Sequence, residues 1–221
     1  MKILALLGSP RGKKGNTYRL IESALKGAED AGAEVLFIDI TEMDIGYCTG
    51  CSTCYSTGSC IQGDDYEEIL DLILESDGII LGSPVYINSV TAQLKTLFDR
   101  MPDVVHCQML LGKYGFSVST AGGGNADIVC DYMNNTLQVM GANTTGDAYA
   151  VLAEGDEAFG DACRRSYELG KDLVAAISEK RVYPEQEAFH DGMHERMKNL
   201  VLFQKDEWTH EYDYWKEKGW L

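Results

Sequence analysis

The stretch Ile3-Leu4-Ala5-Leu6-Leu7-Gly8-Ser9-Pro10-Arg11-Gly12-Lys13-Lys14-Gly15-Asn16-Thr17 decides the fold. Five apolar residues run without alternation, the pattern of a strand buried on both faces of a parallel sheet. A turn rich in glycine, hydroxyl and cationic residues follows. Leu20, Ile21, Ala24, Leu25 and Ala28 then repeat at helical spacing, and Gly32 closes that helix. Strand, open turn and helix make the first half of a βαβ unit. The turn lies where doubly wound sheets bind ligands, beyond the carboxyl ends of the strands.

Outward from this unit the alternation continues. Val35 to Ile40 reads as a second strand. Asp64 with Glu67, or Asp65 with Glu68, resembles a capping box opening a helix whose apolar face is Ile69, Leu70, Ile73 and Leu74. Gly78 to Gly82 is a third buried strand, and Val90, Leu94, Leu97, Phe98 and Met101 mark the next helix. Tyr114 to Ser119 gives a fourth strand, Val129, Met133, Leu137 and Met140 a helix, and Ala148 to Leu152 a fifth strand. A last helix covers roughly 156 to 179. Parallel strands need crossover helices, so the pattern predicts an α/β fold: a three-layer, doubly wound, parallel five-stranded sheet.

Residues 1–183 are expected to form this domain, with a cysteine-bearing loop at 46–63. From Pro184 to Leu221 the chain is rich in charge and aromatics, including Phe189, Phe203, Trp208, Tyr212, Tyr214, Trp215 and Trp220. A solvated tail does not normally carry three tryptophans. This C-terminal extension is expected to pack on its own domain or on a neighbouring subunit.

The net charge of −16, from 35 acidic against 19 basic residues, repels phosphate backbones and anionic lipids. Nucleic acid and membrane are therefore not expected as partners. No apolar run approaches the roughly 20 residues that span a bilayer. The apolar part of the N-terminus is too short for a signal peptide, so a cytoplasmic location is expected. An odd total of seven cysteines argues against a disulfide framework there.

The turn after the first strand suits a phosphate. Its backbone N–H groups are free, Ser9 and Thr17 offer hydroxyls, Arg11 a charge-assisted contact, and Gly15 and Asn16 lead into a helix whose N-terminus is partially positive. It matches neither the G-x-x-x-x-G-K-[ST] nor the G-x-G-x-x-G pattern, which disfavours Walker-type and dinucleotide sites. After the third strand comes Gly82-Ser83-Pro84-Val85-Tyr86-Ile87-Asn88. Apolar side chains exposed there call for a flat partner, and an isoalloxazine ring stacked by Tyr86 would cover them. After the fourth strand comes Ser119-Thr120-Ala121-Gly122-Gly123-Gly124, where glycine permits close backbone approach to a flavin's pyrimidine edge. Ser9, Arg11, Gly15, Asn16, Thr17, Pro84, Val85, Tyr86, Asn88, Thr120, Gly122 and Gly123 are the candidate cofactor-binding residues. No acid–base residue stands out, and no catalytic residue is assigned.

Cys48-x2-Cys51-x2-Cys54-x5-Cys60 is compact. Four closely spaced thiolates suit a 4Fe-4S cubane, for which Cys-x2-Cys-x2-Cys can wrap three irons. Tetrahedral zinc and a dithiol switch stay open as alternatives. Cys107, Cys130 and Cys163 read as small hydrophobes. His190 and His194, at i, i+4, read as a surface feature.

Gly8-Ser9-Pro10-Arg11 with Gly15-Asn16-Thr17, then Gly82-Ser83-Pro84-Val85-Tyr86, then Lys95-Thr96-Leu97-Phe98-Asp99-Arg100, resembles the NADPH-dependent FMN reductases over about residues 1 to 180. The resemblance implies a flavodoxin-like strand order 2-1-3-4-5, FMN at the three loops, and a homodimer or homotetramer. The cysteine spacing resembles the iron–sulfur flavoproteins within that family. It implies a 4Fe-4S cluster on Cys48, Cys51, Cys54 and Cys60 that relays electrons to FMN, often from a ferredoxin, and an acceptor such as oxygen, peroxide or quinone. The alternative is a flavin or quinone reductase driven by NAD(P)H, with free thiols.

Overall fold

The computed structural model describes residues 1–221. Five strands form one parallel sheet: β1 (Lys2–Leu7), β2 (Glu34–Asp39), β3 (Gly78–Pro84), β4 (Tyr114–Ala121) and β5 (Asn143–Val151), in the order β2-β1-β3-β4-β5. In register, Leu7 of β1 lies beside Asp39 of β2 and Gly82 of β3, so β1 and β2 finish level and β3 runs two residues further.

Helices cover both faces, as two-sided burial demands. On one face α1 (Asn16–Asp30) and α7 (Asp156–Glu179) pack over Ile3, Ala5, Leu7, Ile80, Phe116 and Val118. These helices approach backbone to backbone. A β-carbon on Gly27 would strike the carbonyl of Tyr167, and one on Gly170 the carbonyl of Ala24. On the other face α3 (Tyr66–Glu75), α4 (Ala92–Asp99) and α6 (Ala126–Val139) cover Leu4, Leu6, Ile79 and Leu81. Two short helices, α2 (Thr53–Thr57) and α5 (Pro102–His106), complete the domain.

Several expectations need correction. The helix expected over Val90–Met101 is shorter, because Thr91 caps it: the Thr91 Oγ1 accepts from the Leu94 N–H at 3.4 Å. The capping box at the start of α3 does not form. Asp65 is the cap residue, but its carboxylate accepts from the Asp44 N–H at 2.7 Å, and Glu67 accepts from the Cys60 N–H at 2.6 Å. Both acids hold the cysteine loop, an alternative that local spacing does not reveal. Strand β5 begins five residues earlier than its apolar run, since Asn143 and Thr144 pair with β4 although polar.

The chain ends in α8 (Pro184–Phe203) and α9 (Thr209–Glu217). Met193, Met197, Val201 and the fully buried Trp215 form a third apolar cluster, which also touches Val105 and Val139. His190 is buried rather than a surface residue. No helix is long and apolar enough to cross a membrane.

Candidate functional site

The three loops read from sequence meet at the carboxyl end of the sheet. A cavity of about 250 Å³ is lined by Ser9, Arg11, Gly15, Asn16, Thr17, Pro84, Val85, Tyr86, Thr120, Ala121, Gly122 and Leu152. Ten of the twelve candidates line it. Gly123 is exposed alongside without lining it, and Asn88 bridges loops instead, its Oδ1 accepting from Asn125 Nδ2 at 2.7 Å. Ala121 and Leu152 were missed. Leu152 follows the last residue of β5, so the strand-end rule applied to all five strands would have found it.

Hydrogen bonds join these loops. The Gly8 N–H donates to the Gly82 carbonyl at 2.8 Å, and the Thr91 hydroxyl donates to the Gly8 carbonyl. The Val85 N–H donates to the Thr120 carbonyl at 2.9 Å. Thr17 and Thr120, both buried, share a 2.6 Å hydroxyl–hydroxyl bond. Ile87 and Asn88 hold left-handed φ angles of 47° and 61°, a conformation that disfavours a β-branched residue such as Ile87, which stands almost fully exposed.

The shape of the first loop suits a phosphate-bearing group. A β-carbon on Gly15 would reach 3.2 Å from the Ser9 Oγ, so a glycine there keeps the turn open between Ser9 and Arg11. Helix α1 starts at Asn16 and presents its unpaired N–H groups to this turn. At Gly122, Gly123 and Gly124 a β-carbon would meet nothing within 4 Å, and none has the left-handed φ that requires glycine. The open space lies outside the protein's own packing, where a flat ring has room.

The four clustered cysteines line one smaller cavity of about 30 Å³, together with Thr49, Gly50, Ser52, Tyr55, Ile61, Gln62, Arg100 and Pro102. Cys48 and Cys51 are exposed, while Cys54 and Cys60 are half-buried. No three Cys, His, Asp or Glu side chains are gathered into a metal-holding group in this conformation. The donor set still suits a thiolate-bound metal centre: four cysteines line one cavity on a loop anchored at both ends. Hydrogen bonds, led by that of the Thr53 side chain, draw the Cys51 thiol down to about 7, whereas burial pushes Cys54 up to about 12.

Arg100 ties the two ends of that loop together, a role its sequence did not reveal. It is 3% exposed. It donates to Asp64 twice, at 2.7 and 3.0 Å, to the Gly46 carbonyl at 2.9 Å and to the Cys60 Sγ at 3.0 Å. Its guanidinium also lies 4.5 Å from the Tyr66 ring centroid. A third cavity, of about 150 Å³, is lined by Ile40, Met43, Ile45 and Tyr47 on the chain leading into the loop and by Ala92, Gln93 and Thr96 on α4.

Comparison with known proteins gives this geometry a context. A family model described as NADPH-dependent FMN reductase matches residues 1–157. A protein of Archaeoglobus fulgidus named iron-sulfur flavoprotein is 39% identical over 227 residues, covering 100% of both chains. One of Methanocaldococcus jannaschii, also named iron-sulfur flavoprotein, is 36% identical over 149 residues, covering 66% of this chain and 77% of its own. Among solved structures, an NADH:FMN oxidoreductase superposes with a TM-score of 0.61 at 20% identity, over 84% of this chain and 92% of that one, a likeness of fold.

Proposed function

This chain belongs to the NADPH-dependent FMN reductase family, in its iron–sulfur flavoprotein subgroup, and we propose that it relays electrons between a 4Fe-4S cluster on its cysteine loop and FMN in the cavity beyond β1, β3 and β4. That it is a flavin-dependent oxidoreductase using FMN follows from the family. The residue assignment, the cluster and the acceptor are our reading. The observation that carries it is the convergence of three separate loops on one cavity, with the four thiols lining a second.

In this reading Ser9, Arg11, Gly15, Asn16 and Thr17 hold the phosphate, with backbone N–H groups and the α1 terminus supplying most of the donors. Pro84, Val85 and Tyr86 form an apolar wall for the ring. Thr120 and Gly122 border its polar edge, and Leu152 closes the far side. When bound, FMN supplies both one- and two-electron chemistry, and the cluster supplies single-electron transfer. The protein contributes position, exclusion of water, and fixed N–H dipoles that favour negative charge.

Cys48, Cys51, Cys54 and Cys60 are the proposed cluster ligands. Arg100, donating to the Cys60 Sγ, would offset part of the thiolate charge. Residues 1–183 form the cofactor-binding part and 184–221 an extension that braces it. A homodimer or homotetramer is the proposed assembly. Ferredoxin is the proposed donor, and oxygen, peroxide or a quinone the acceptor. A second reading, a NAD(P)H-driven FMN or quinone reductase with free thiols, has one observation on its side: two of the four cysteines stand exposed and no three are gathered.

Anaerobic purification followed by iron, sulfide and flavin quantification tests the proposal. Close to four irons and four sulfides per chain, lost together in Cys54→Ala while FMN stays bound, is the expected result. Flavin without iron, with rapid NADPH oxidation, would establish the second reading. Protein that refuses added FMN would overturn both.

A further inference from the structure

The two ends of the cysteine loop are tied together by Arg100, Asp64 and Glu67. Its middle, α2, is fastened by a segment more than 150 residues later in the chain. Ser52, with φ 60°, and Gly58, with φ 76°, bracket α2, which carries Cys54 and Tyr55. The Tyr55 ring lies 4.6 Å from that of Trp208 and 5.0 Å from that of His106. His106 and Trp208 stack at 4.9 Å with only 6° between their planes. The Thr209 hydroxyl donates to the Ser56 carbonyl at 3.2 Å. Gly58 lies so close to His210 that a β-carbon there would come within 2.6 Å of the ring Nδ1.

Behind this contact α9 is itself fixed. Glu211 is fully buried and its Oε1 lies 3.0 Å from His106 Nδ1. Trp215, also fully buried, donates its indole N–H to the His106 carbonyl at 3.0 Å. His106 therefore links α5, the loop and the C-terminal helix. A buried carboxyl group held on one imidazole and a three-ring cluster are more than a surface extension requires.

We propose that α9 is a strap that positions the cysteine loop, with Trp208, Thr209 and His106 as positioning residues that set the exposure of Cys54 and the retention of the group the four thiols hold. The identity of that group rests on the cluster reading above, whereas the strap does not. Without the strap, α2 has only five residues and two left-handed ends to hold its shape, too few for an independent helix. Local opening would then expose Cys54 to solvent and oxidant.

The test uses full-length protein, stripped of metal and reduced under argon, then alkylated with iodoacetamide and quenched at intervals. Mass spectrometry reads the labelling rate of Cys54 relative to Cys51, which is already exposed. Trp208→Ala is expected to raise this ratio roughly tenfold, and Trp208→Phe, which keeps a stacking ring, to return it to within roughly twofold of wild type. Thr209→Val, at an exposed site, is expected to raise it roughly two- to fivefold. In metal-loaded protein the same variants should lose iron faster while the FMN:protein ratio stays unchanged. A Cys54:Cys51 ratio unmoved by the variants, or a Trp208→Phe variant no better protected than Trp208→Ala, overturns the strap. If Trp208→Ala fails to fold, Thr209→Val decides alone. Wild-type protein that binds no iron refutes the cluster reading and leaves the alkylation result to judge the strap.

Discussion

Replacing Asp64 with Asn should destabilise this protein by about 1–2 kcal/mol at neutral pH, because it removes the charge that faces a buried guanidinium. Asp64 accepts from Arg100 at 2.7 and 3.0 Å and from the N–H groups of Gly46 at 2.8 Å and Tyr66 at 3.2 Å. Asparagine retains some of these bonds but not the charge, leaving Arg100 with the Gly46 carbonyl, the Cys60 sulfur and the Tyr66 ring. The Arg100 guanidinium, helped by these N–H groups, holds the Asp64 carboxyl at about 2, below its usual 3.8. That lowering corresponds to about 2 kcal/mol at most, and solvent at the carboxylate trims it toward about 1. The folded pKa is the depressed one, so this stability is present above pH 3.8 and is lost as pH falls through 2. Urea unfolding of metal-free wild type and Asp64→Asn at pH 7, 5 and 3, followed by tryptophan fluorescence, measures the gap. It should stay constant from pH 7 to 5 and begin to narrow at pH 3. Adding Arg100→Met to Asp64→Asn should recover at least about 1 kcal/mol, since it removes the stranded charge. A neutral-pH gap under about 0.5 kcal/mol, or one that widens toward acid, would refute the reasoning.

Three further outcomes follow from contacts described above. Thr17→Val leaves the buried Thr120 hydroxyl without its partner and should weaken FMN binding roughly five- to tenfold in a flavin-fluorescence titration, with the thermal midpoint of the flavin-free protein lowered by a few degrees, as expected of a stranded hydroxyl costing about 1–3 kcal/mol. Gly170→Ala places a β-carbon against the Ala24 carbonyl and should cost about 2 kcal/mol or more by urea unfolding, since two helix backbones must separate. Trp215→Ala empties the centre of the C-terminal cluster and should cost about 3–5 kcal/mol, with Trp215→Phe recovering at least half.

What the sequence disclosed, and what it withheld, divides along a physical line. That three loops meet at one cavity was legible because their requirements are local: an open turn after each strand, a glycine at position 15, hydroxyls at 9 and 17, and a rule that sends ligands to the carboxyl ends of strands. The strand order 2-1-3-4-5 was supplied by the family resemblance and agrees with the observed sheet. The supports of the cysteine loop were not legible, because each is a pairing between distant positions. Asp64 looks like a helix cap until Arg100 arrives from α4's end, and Glu67 looks like its capping partner until the Cys60 N–H turns toward it. Nothing in the spacing of His106, Trp208 and Glu211 says that they meet, since over 100 residues separate the first from the others. The same division bears on function. The loops around the larger cavity hold one another by short bonds at the ends of adjacent strands, so the sheet itself gives that cavity its support. Four thiols on a loop with one five-residue helix have no such support. Their arrangement leans on Arg100 and on contacts with the C-terminal arm, so substitutions far from the cysteines in sequence should act on the four thiols before they act on the larger cavity.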